Sequence, residues 1–185
     1  MKAYDVKVKL LDFEPLTYRQ LLIPEDILFY ELDNVLKTVW GFKGFHLSKF
    51  SIGNDIVIMD GDLNSDAEFT HNSKTTFLME FFDNYKRIDY CYDFADKWRF
   101  SLEVLDKIDY DKDYVTIKNY EGQWNLLEDC GGVSMYRTVV YYAEGYFYSK
   151  VSSISIFVEN LEKFDADYIQ ELLTNKDYVE FQFNF

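Results

Sequence analysis

The segment that most constrains the fold begins at Arg87 and reads RIDYCYDFADKWRFSLEVL. Apolar and polar residues alternate along it, which is the period of a β-strand with one buried face. The alternation stops at ADK and then resumes in the same manner. Two alternating runs separated by a short polar break are typical of a β-hairpin. The sequence therefore predicts two antiparallel strands here.

The break also predicts a register for this hairpin. With Ala95–Lys97 as the loop, Phe94 lies opposite Trp98 on the core face. Asp93 then lies opposite Arg99 on the other face, as half of a cross-strand ion pair.

Asp96 falls in the predicted turn, where its side chain can accept backbone N–H bonds. The alternative is that Asp93 and Asp96 form a carboxylate pair for a metal ion or for acid/base chemistry. Three residues apart on a regular strand, the two side chains point to opposite faces, so only the turn could bring them together. The structural interpretation is favoured.

Shorter patterns predict the remaining elements and an α+β fold, in which helices pack on one face of a largely antiparallel sheet. Pro24 and Asp26 precede a helical pattern that ends at Gly41. Asp165 or Asp167 is expected to cap a later helix, DADYIQELLTNK. A short helix is predicted in SKTTFLMEFFDNY, and strands in YDVKVKL, TYRQLLI, FHLSKFSI, DIVIMDG and YVEFQFNF.

Composition narrows the class of protein. The 185 residues suit a single domain, taken as 1–185, and carry a net charge of −14. Acids outnumber Lys and Arg 33 to 19, and no basic cluster exceeds two residues, which disfavours direct binding of duplex nucleic acid. The acidic charge keeps a protein soluble or attracts a basic protein partner.

The expected compartment is the cytoplasm. The apolar runs are too short and too interrupted to cross a membrane, and the N-terminus lacks the apolar core of a signal peptide. Two cysteines, Cys91 and Cys130, cannot form a disulfide framework and are expected to stay reduced.

Three blocks of the chain resemble the plasmid pRiA4b ORF-3-like family, also described as passenger proteins of insertion elements. They are residues 4–50, YCYDFADKW and LLEDCGG, in the family's order and within residues 4–136. Residues 137–185 are then a C-terminal extension packed on the core. The resemblance implies an α+β fold of this kind and an association with mobile elements, but no established activity.

The chain also departs from the family's usual forms. Members often carry His where this chain has Asp33, Ser48 and Phe100, and Ala95 replaces a turn Gly. Leu126 and Leu127 replace a Pro pair. The two histidines that remain in the chain are too few for a His-rich zinc site.

Six residues are candidates for catalysis: His46, Asp93, Asp96, Glu128, Asp129 and Cys130. A mixed metal site is the alternative interpretation for five of them, namely His46, Asp93, Glu128, Asp129 and Cys130. The acids beside Cys130 oppose a thiolate, which makes this cysteine a poor nucleophile. A lone strand His such as His46 is more often structural.

Two function classes stay open. The favoured one is a non-catalytic binding or adaptor domain, with no cofactor and with a basic protein as partner. The sequence has no phosphate-binding loop, dinucleotide fingerprint or nucleophile elbow that would indicate an enzyme. The alternative is a metal-assisted hydrolase or a degenerate relative. Glu128 and Asp129 decide between them, because they either cap backbone at the entry to a helix or strand, as favoured, or meet His46 across a cleft.

Overall fold

The computed structural model describes residues 1–60, 69–146 and 152–180. Within these residues the strands are β1 (Lys2–Leu10), β2 (Tyr18–Pro24), β3 (Ser48–Ile52), β4 (Ile56–Met59), β5 (His71–Asn72), β6 (Arg87–Tyr92), β7 (Trp98–Asp109) and β8 (Thr116–Glu121). The helices are α1 (Phe29–Trp40), α2 (Met79–Phe82), α3 (Gly132–Ala143), α4 (Ser152–Glu159) and α5 (Ala166–Asn175).

These strands form one sheet in the order β5-β4-β3-β6-β7-β1-β2-β8. Neighbouring strands are antiparallel except β4 and β5, which are parallel. The predicted α+β class with a largely antiparallel sheet is confirmed.

One face of the sheet is buried because apolar residues alternate along the central strands. In β7, Trp98, Phe100 and Leu102 are fully buried, and β1 buries its own alternating residues in the same core. The opposite face carries charge, as in the 2.7 Å contact between Lys9 Nζ and Glu103 Oε1. This is the two-faced pattern that the alternation predicts.

Three helices pack on the buried face of the sheet through aromatic contacts. The ring centroids lie 4.9 Å apart for Trp40 of α1 and Phe100, and 5.2 Å apart for Phe82 of α2 and Tyr4. Tyr136 of α3 meets Trp98 at 5.6 Å. The same apolar face therefore anchors α1, α2 and α3, as expected for helices on one side of a sheet.

Helix α1 ends at Gly41, as predicted, but it begins at Phe29 rather than near Asp26. The Glu31 side chain accepts the Leu28 N–H at 3.1 Å and supplies the N-terminal cap. Gly41 has a φ of 79°, and a Cβ there would lie 2.7 Å from Asn125 Cβ. A glycine is required by both the backbone angle and the close approach.

The hairpin between β6 and β7 forms, but the predicted register is wrong. Tyr92 pairs with Trp98 and Cys91 pairs with Arg99, so the loop has five residues instead of three. Asp93 and Lys97 adopt positive φ angles of 57° and 55°, and the ladder ends at Tyr92, two residues earlier on the β6 side than predicted, while the β7 side still begins at Trp98.

This shift changes the surroundings of two side chains. Phe94 is 41% exposed instead of facing the core, whereas Asp93 is buried. Arg99 forms its ion pair with Asp12, at 2.5 Å, and not with Asp93.

Other predicted elements agree in part. The strand expected in FHLSKFSI begins only at Ser48. Asp165 caps α5 by accepting the N–H groups of Asp167 and Tyr168, as predicted. Of the predicted closing strand, residues 178–180 are not in a strand, and 181–185 lie outside the described residues.

Cys91 and Cys130 are both free thiols. No helix in the described ranges is long and apolar enough to span a membrane.

Candidate functional site

His46 lies in the loop between α1 and β3 and is the centre of a cluster of carboxylates. Its backbone N–H donates to the Tyr92 hydroxyl at 3.2 Å, which ties the loop to the end of β6. Its ring Nε2 lies 2.8 Å from Asp129 Oδ1, 3.7 Å from Asp93 Oδ2 and 3.9 Å from Glu128 Oε1. The imidazole is 30% exposed, so solvent reaches one side of the cluster.

Asp93 is the first residue after β6, and the two oxygens of its carboxylate have different surroundings. Oδ1 accepts the N–H groups of Ala95 and Asp96 at 2.8 and 3.3 Å, which shapes the hairpin loop. Oδ2 has no hydrogen-bond donor among the described residues and faces His46 Nε2. The residue is 3% exposed, so half of a buried carboxylate is directed at the imidazole with unused acceptor capacity.

Glu128 holds the loop that carries His46. Its carboxylate accepts the Lys43 N–H at 2.7 Å, the Phe45 N–H at 3.3 Å and a short hydrogen bond from the Tyr92 hydroxyl. Burial, followed by this hydrogen bond to Glu128, raises the pKa of Tyr92 well above its usual value, so the phenol stays protonated and donates. Because its carboxylate already accepts three hydrogen bonds, Glu128 acts as a positioning residue for His46.

The turn that contains Asp129 docks on the hairpin loop. Asp96 Oδ2 accepts the Gly131 N–H at 3.0 Å, and a Cβ on Gly132 would lie 2.5 Å from the Asp96 carbonyl oxygen. Asp129 itself has a φ of 59° and a side chain that is 66% exposed. The close approach that the glycine allows brings Asp129 over His46.

Three side chains in this cluster offer the geometry of a metal site. One ligand atom each from His46, Asp93 and Asp129 lies within 4.8 Å of the other two. An ion about 2.0–2.2 Å from nitrogen and oxygen ligands needs those ligands roughly 3–3.7 Å apart. The 2.8 and 3.7 Å separations from His46 Nε2 are close to this range, and the exposed Asp129 can adjust by a side-chain rotation.

Two of the six sequence candidates lie outside the cluster. Cys130 is buried, and its Sγ contacts the Gly132 carbonyl oxygen at 3.7 Å. Burial first, and then the charge of Asp96, raises the pKa of the Cys130 thiol to about 12. Asp96 caps Gly131 instead of facing His46. The structure therefore brings together His46, Asp93, Glu128 and Asp129. The favoured expectation that the two turn acids cap local backbone is not met, because Glu128 accepts the distant N–H groups of Lys43 and Phe45 and Asp129 lies beside His46.

Residue-by-residue reasoning missed a second polar network beside His46. Asp33 Oδ1 accepts from Ser48 Oγ at 2.6 Å and from the Tyr90 hydroxyl at 2.7 Å, while Oδ2 lies 3.0 Å from Lys37 Nζ. Asp33, His46 and Ser48 line one small cavity. The signal that could have found it is that Asp33 and Ser48 occupy two of the positions where the resembled family often carries His.

Comparisons with known proteins agree with the fold. The family model described as plasmid pRiA4b ORF-3-like protein matches residues 2–172, which extends beyond the 4–136 expected from the motifs. A crystal structure of MM3350, a protein of unknown function from Methanosarcina mazei Go1, is 20% identical with a TM-score of 0.73. The match covers 89% of this chain and 92% of that one. A search of curated proteins finds no match.

Proposed function

The chain belongs to the plasmid pRiA4b ORF-3-like family, and we propose that it is a binding protein that takes a divalent cation through His46, Asp93 and Asp129. The observation that carries this proposal is the Asp93 carboxylate. It is buried, and its Oδ2 faces His46 Nε2 at 3.7 Å without a donor. A nearly buried carboxylate with unused acceptor capacity on one oxygen is stabilised by a cation.

The charges of the cluster support the same conclusion. Three carboxylates, from Asp93, Glu128 and Asp129, have an oxygen within 4 Å of one imidazole nitrogen. A protonated His46 would balance one of these negative charges. Like charges at this separation repel, and a divalent ion bound at Nε2 compensates for two of them.

The donor set indicates the class of ion. One imidazole nitrogen and two carboxylate oxygens match Zn²⁺ and similar transition-metal ions. Ca²⁺ and Mg²⁺ prefer ligand sets made of oxygen alone. We therefore expect Zn²⁺ to bind in preference to either of these ions, with water in the remaining coordination positions.

Binding is favoured over metal-assisted hydrolysis because three candidate acid or base residues are already hydrogen-bonded or buried. Glu128 already accepts three hydrogen bonds, Asp96 caps Gly131, and the Cys130 thiol is buried and protonated. None of these groups is free to transfer a proton to a substrate. A basic protein partner, suggested by the net charge of −14, and the association with mobile elements are further parts of this proposal.

The test is a calorimetric titration of chelator-treated protein with Zn²⁺, in the presence of excess Mg²⁺. We expect saturable binding of a single ion, and a loss of affinity of roughly tenfold or more in Asp93→Asn. Asp89→Asn is the matched control, because Asp89 lies on β6, the strand that Asp93 follows, with an exposed side chain that pairs with Arg87. No saturable binding, or equal affinities in both variants, would overturn the proposal.

A further inference from the structure

A second candidate site is a cavity of about 330 Å³ that His46, Asp93 and Asp129 do not line. It lies between the segment before β2, the end of β8 with the residues after it, and α3. Its walls include four aromatic rings, those of Phe13, Tyr120, Trp124 and Tyr136. The volume lies at the lower end of the range of small-molecule sites. A cavity of about half this size accepts benzene.

One polar group in this cavity lacks a partner. Tyr136 is 2% exposed, and its hydroxyl has no hydrogen-bond partner among the described residues. A ligand with a hydrogen-bonding group can pair with this hydroxyl, which is able both to donate and to accept. Burial also raises the pKa of Tyr136 well above its usual value, so the group is a neutral phenol.

The charged residues of the lining are both acids. Glu121 and Glu144 line the cavity, and none of the described lining residues is Lys or Arg. Glu144 Oε1 accepts from Gln123 Nε2 at 2.7 Å and from Trp124 Nε1 at 3.1 Å, which fixes the carboxylate beside the indole. The lining therefore repels anions and attracts cations.

The nearby buried cation, Arg19, does not change the preference for cations at the Glu144 end of the cavity. Arg19 does not line the cavity, and its guanidinium donates to the carbonyl oxygens of Glu121, at 2.8 Å, and of Gly122, at 3.4 Å. The Arg19 charge lies close enough to Tyr136 and Tyr120 to interact with both, so the ammonium group of a ligand is favoured at the Glu144 end of the cavity.

We infer that this cavity binds a small arylalkyl ammonium compound, with its ring between the aromatic side chains and its ammonium group beside Glu144. Aromatic faces stack on a ring and attract a cation, and the fixed carboxylate adds a charged hydrogen-bond acceptor. The cavity has room for a ring with a short chain. This inference is independent of the cation site at His46.

The test is a titration of the full chain with three probes of similar shape: phenethylamine, phenethyl alcohol and hydrocinnamate. Calorimetry should show phenethylamine binding roughly tenfold more tightly than the alcohol, with hydrocinnamate weakest. Glu144→Gln should remove most of the difference between amine and alcohol, and Tyr136→Phe should weaken both. Glu171→Gln, an exposed acid on α5, is the control and should bind like the wild type.

Melting curves establish that each variant is folded before it is titrated, and both site variants preserve the shape of the original side chain. Zn²⁺ affinity should be unchanged in them, which separates this site from the cluster at His46. The inference is overturned if phenethylamine does not bind saturably, if the three probes bind equally, or if Glu144→Gln leaves the preference for the amine intact.

Discussion

Arg19 and His46 are the centres of two charged regions with opposite surroundings. Arg19 is fully buried, and its described hydrogen-bond partners are all backbone carbonyl oxygens, two of which lie 2.8 and 3.0 Å from Nη1. Its guanidinium carbon also lies 3.7 Å from the centre of the Phe164 ring and 4.7 Å from that of Trp40. His46 is partly exposed and is surrounded by carboxylates.

These surroundings indicate that the Arg19 charge has a structural role and that the His46 cluster is a binding site. Burial lowers the pKa of Arg19 to about 10, so it is still a cation at neutral pH, and neutral dipoles and ring faces solvate it. The cluster at His46 instead brings like charges together and leaves Asp93 Oδ2 without a donor. Neutral carbonyl oxygens and ring faces around Arg19 stabilise the fold, whereas the partly exposed cluster of carboxylates around His46 stabilises a bound cation.

The largest expected effect is on the Arg19 region. Arg19→Met keeps the length of the side chain but leaves partly buried carbonyl oxygens without the donors of Arg19, which should lower the free energy of unfolding by about 2–4 kcal/mol. Urea denaturation followed by tryptophan fluorescence measures this change. Arg87→Met, at an exposed position on β6, is the control and should change stability by about 0.5 kcal/mol or less. Equal effects in the two variants would contradict a structural role for Arg19.

Glu128→Gln should have the next largest effect, since Glu128 both stabilises the fold and positions His46 for cation binding. The amide keeps the shape but weakens the hydrogen bonds from Tyr92 and from the backbone of Lys43 and Phe45. We expect a loss of about 1–2 kcal/mol in the free energy of unfolding, together with weaker Zn²⁺ binding. Denaturation and calorimetry of the same preparation give both values. Unchanged stability would show that Glu128 does not hold the loop.

Much of the fold is predictable from the sequence because alternation reports directly which residues are buried. Ile88, Tyr90 and Tyr92 are buried on the core face as the pattern indicates. The register of the hairpin was not predictable in the same way. It depends on left-handed conformations at Asp93 and Lys97, and neither Asp nor Lys predicts a positive φ in the way that glycine does.

The candidate site was predictable as a set of residues but not as an arrangement. The chemistry of His46, Asp93 and Asp129 and the family motifs indicate these residues, whereas their meeting depends on the docking of the turn that contains Asp129 onto the hairpin loop. The donors that occupy Glu128 include the backbone N–H groups of a loop 83 and 85 residues away along the chain. No local pattern encodes such contacts.

A smaller effect is expected from Asp93→Asn in metal-free protein. Asparagine tolerates a φ of 57° and keeps the Oδ1 acceptor for Ala95, while it removes one of the crowded negative charges. Stability without metal should therefore change by about 1 kcal/mol or less, toward a gain. The measurement is the melting temperature after chelator treatment, with Asp89→Asn as control. A large loss would mean that Asp93 serves the fold and not a cation.

The smallest effect is expected at Cys130, directly after Asp129. Because burial raises its pKa to about 12, the thiol stays protonated below that pH, whereas an ordinary thiol with a pKa near 8.5 ionises between pH 7 and 9. Alkylation of Cys130 by iodoacetamide, followed by mass spectrometry, should stay negligible over this pH range in folded protein and become rapid in denaturant. Labelling that rises with pH in the folded state would place Cys130 in reach of solvent and of the site.

The most direct measurement is anomalous diffraction at the zinc absorption edge from crystals grown with Zn²⁺. The proposal predicts an anomalous peak about 2.0–2.2 Å from His46 Nε2 and from carboxylate oxygens of Asp93 and Asp129. The peak should be absent in crystals of Asp93→Asn. Zinc bound only elsewhere, or the cluster unchanged with His46 Nε2 still hydrogen-bonded to Asp129, would contradict the cation site.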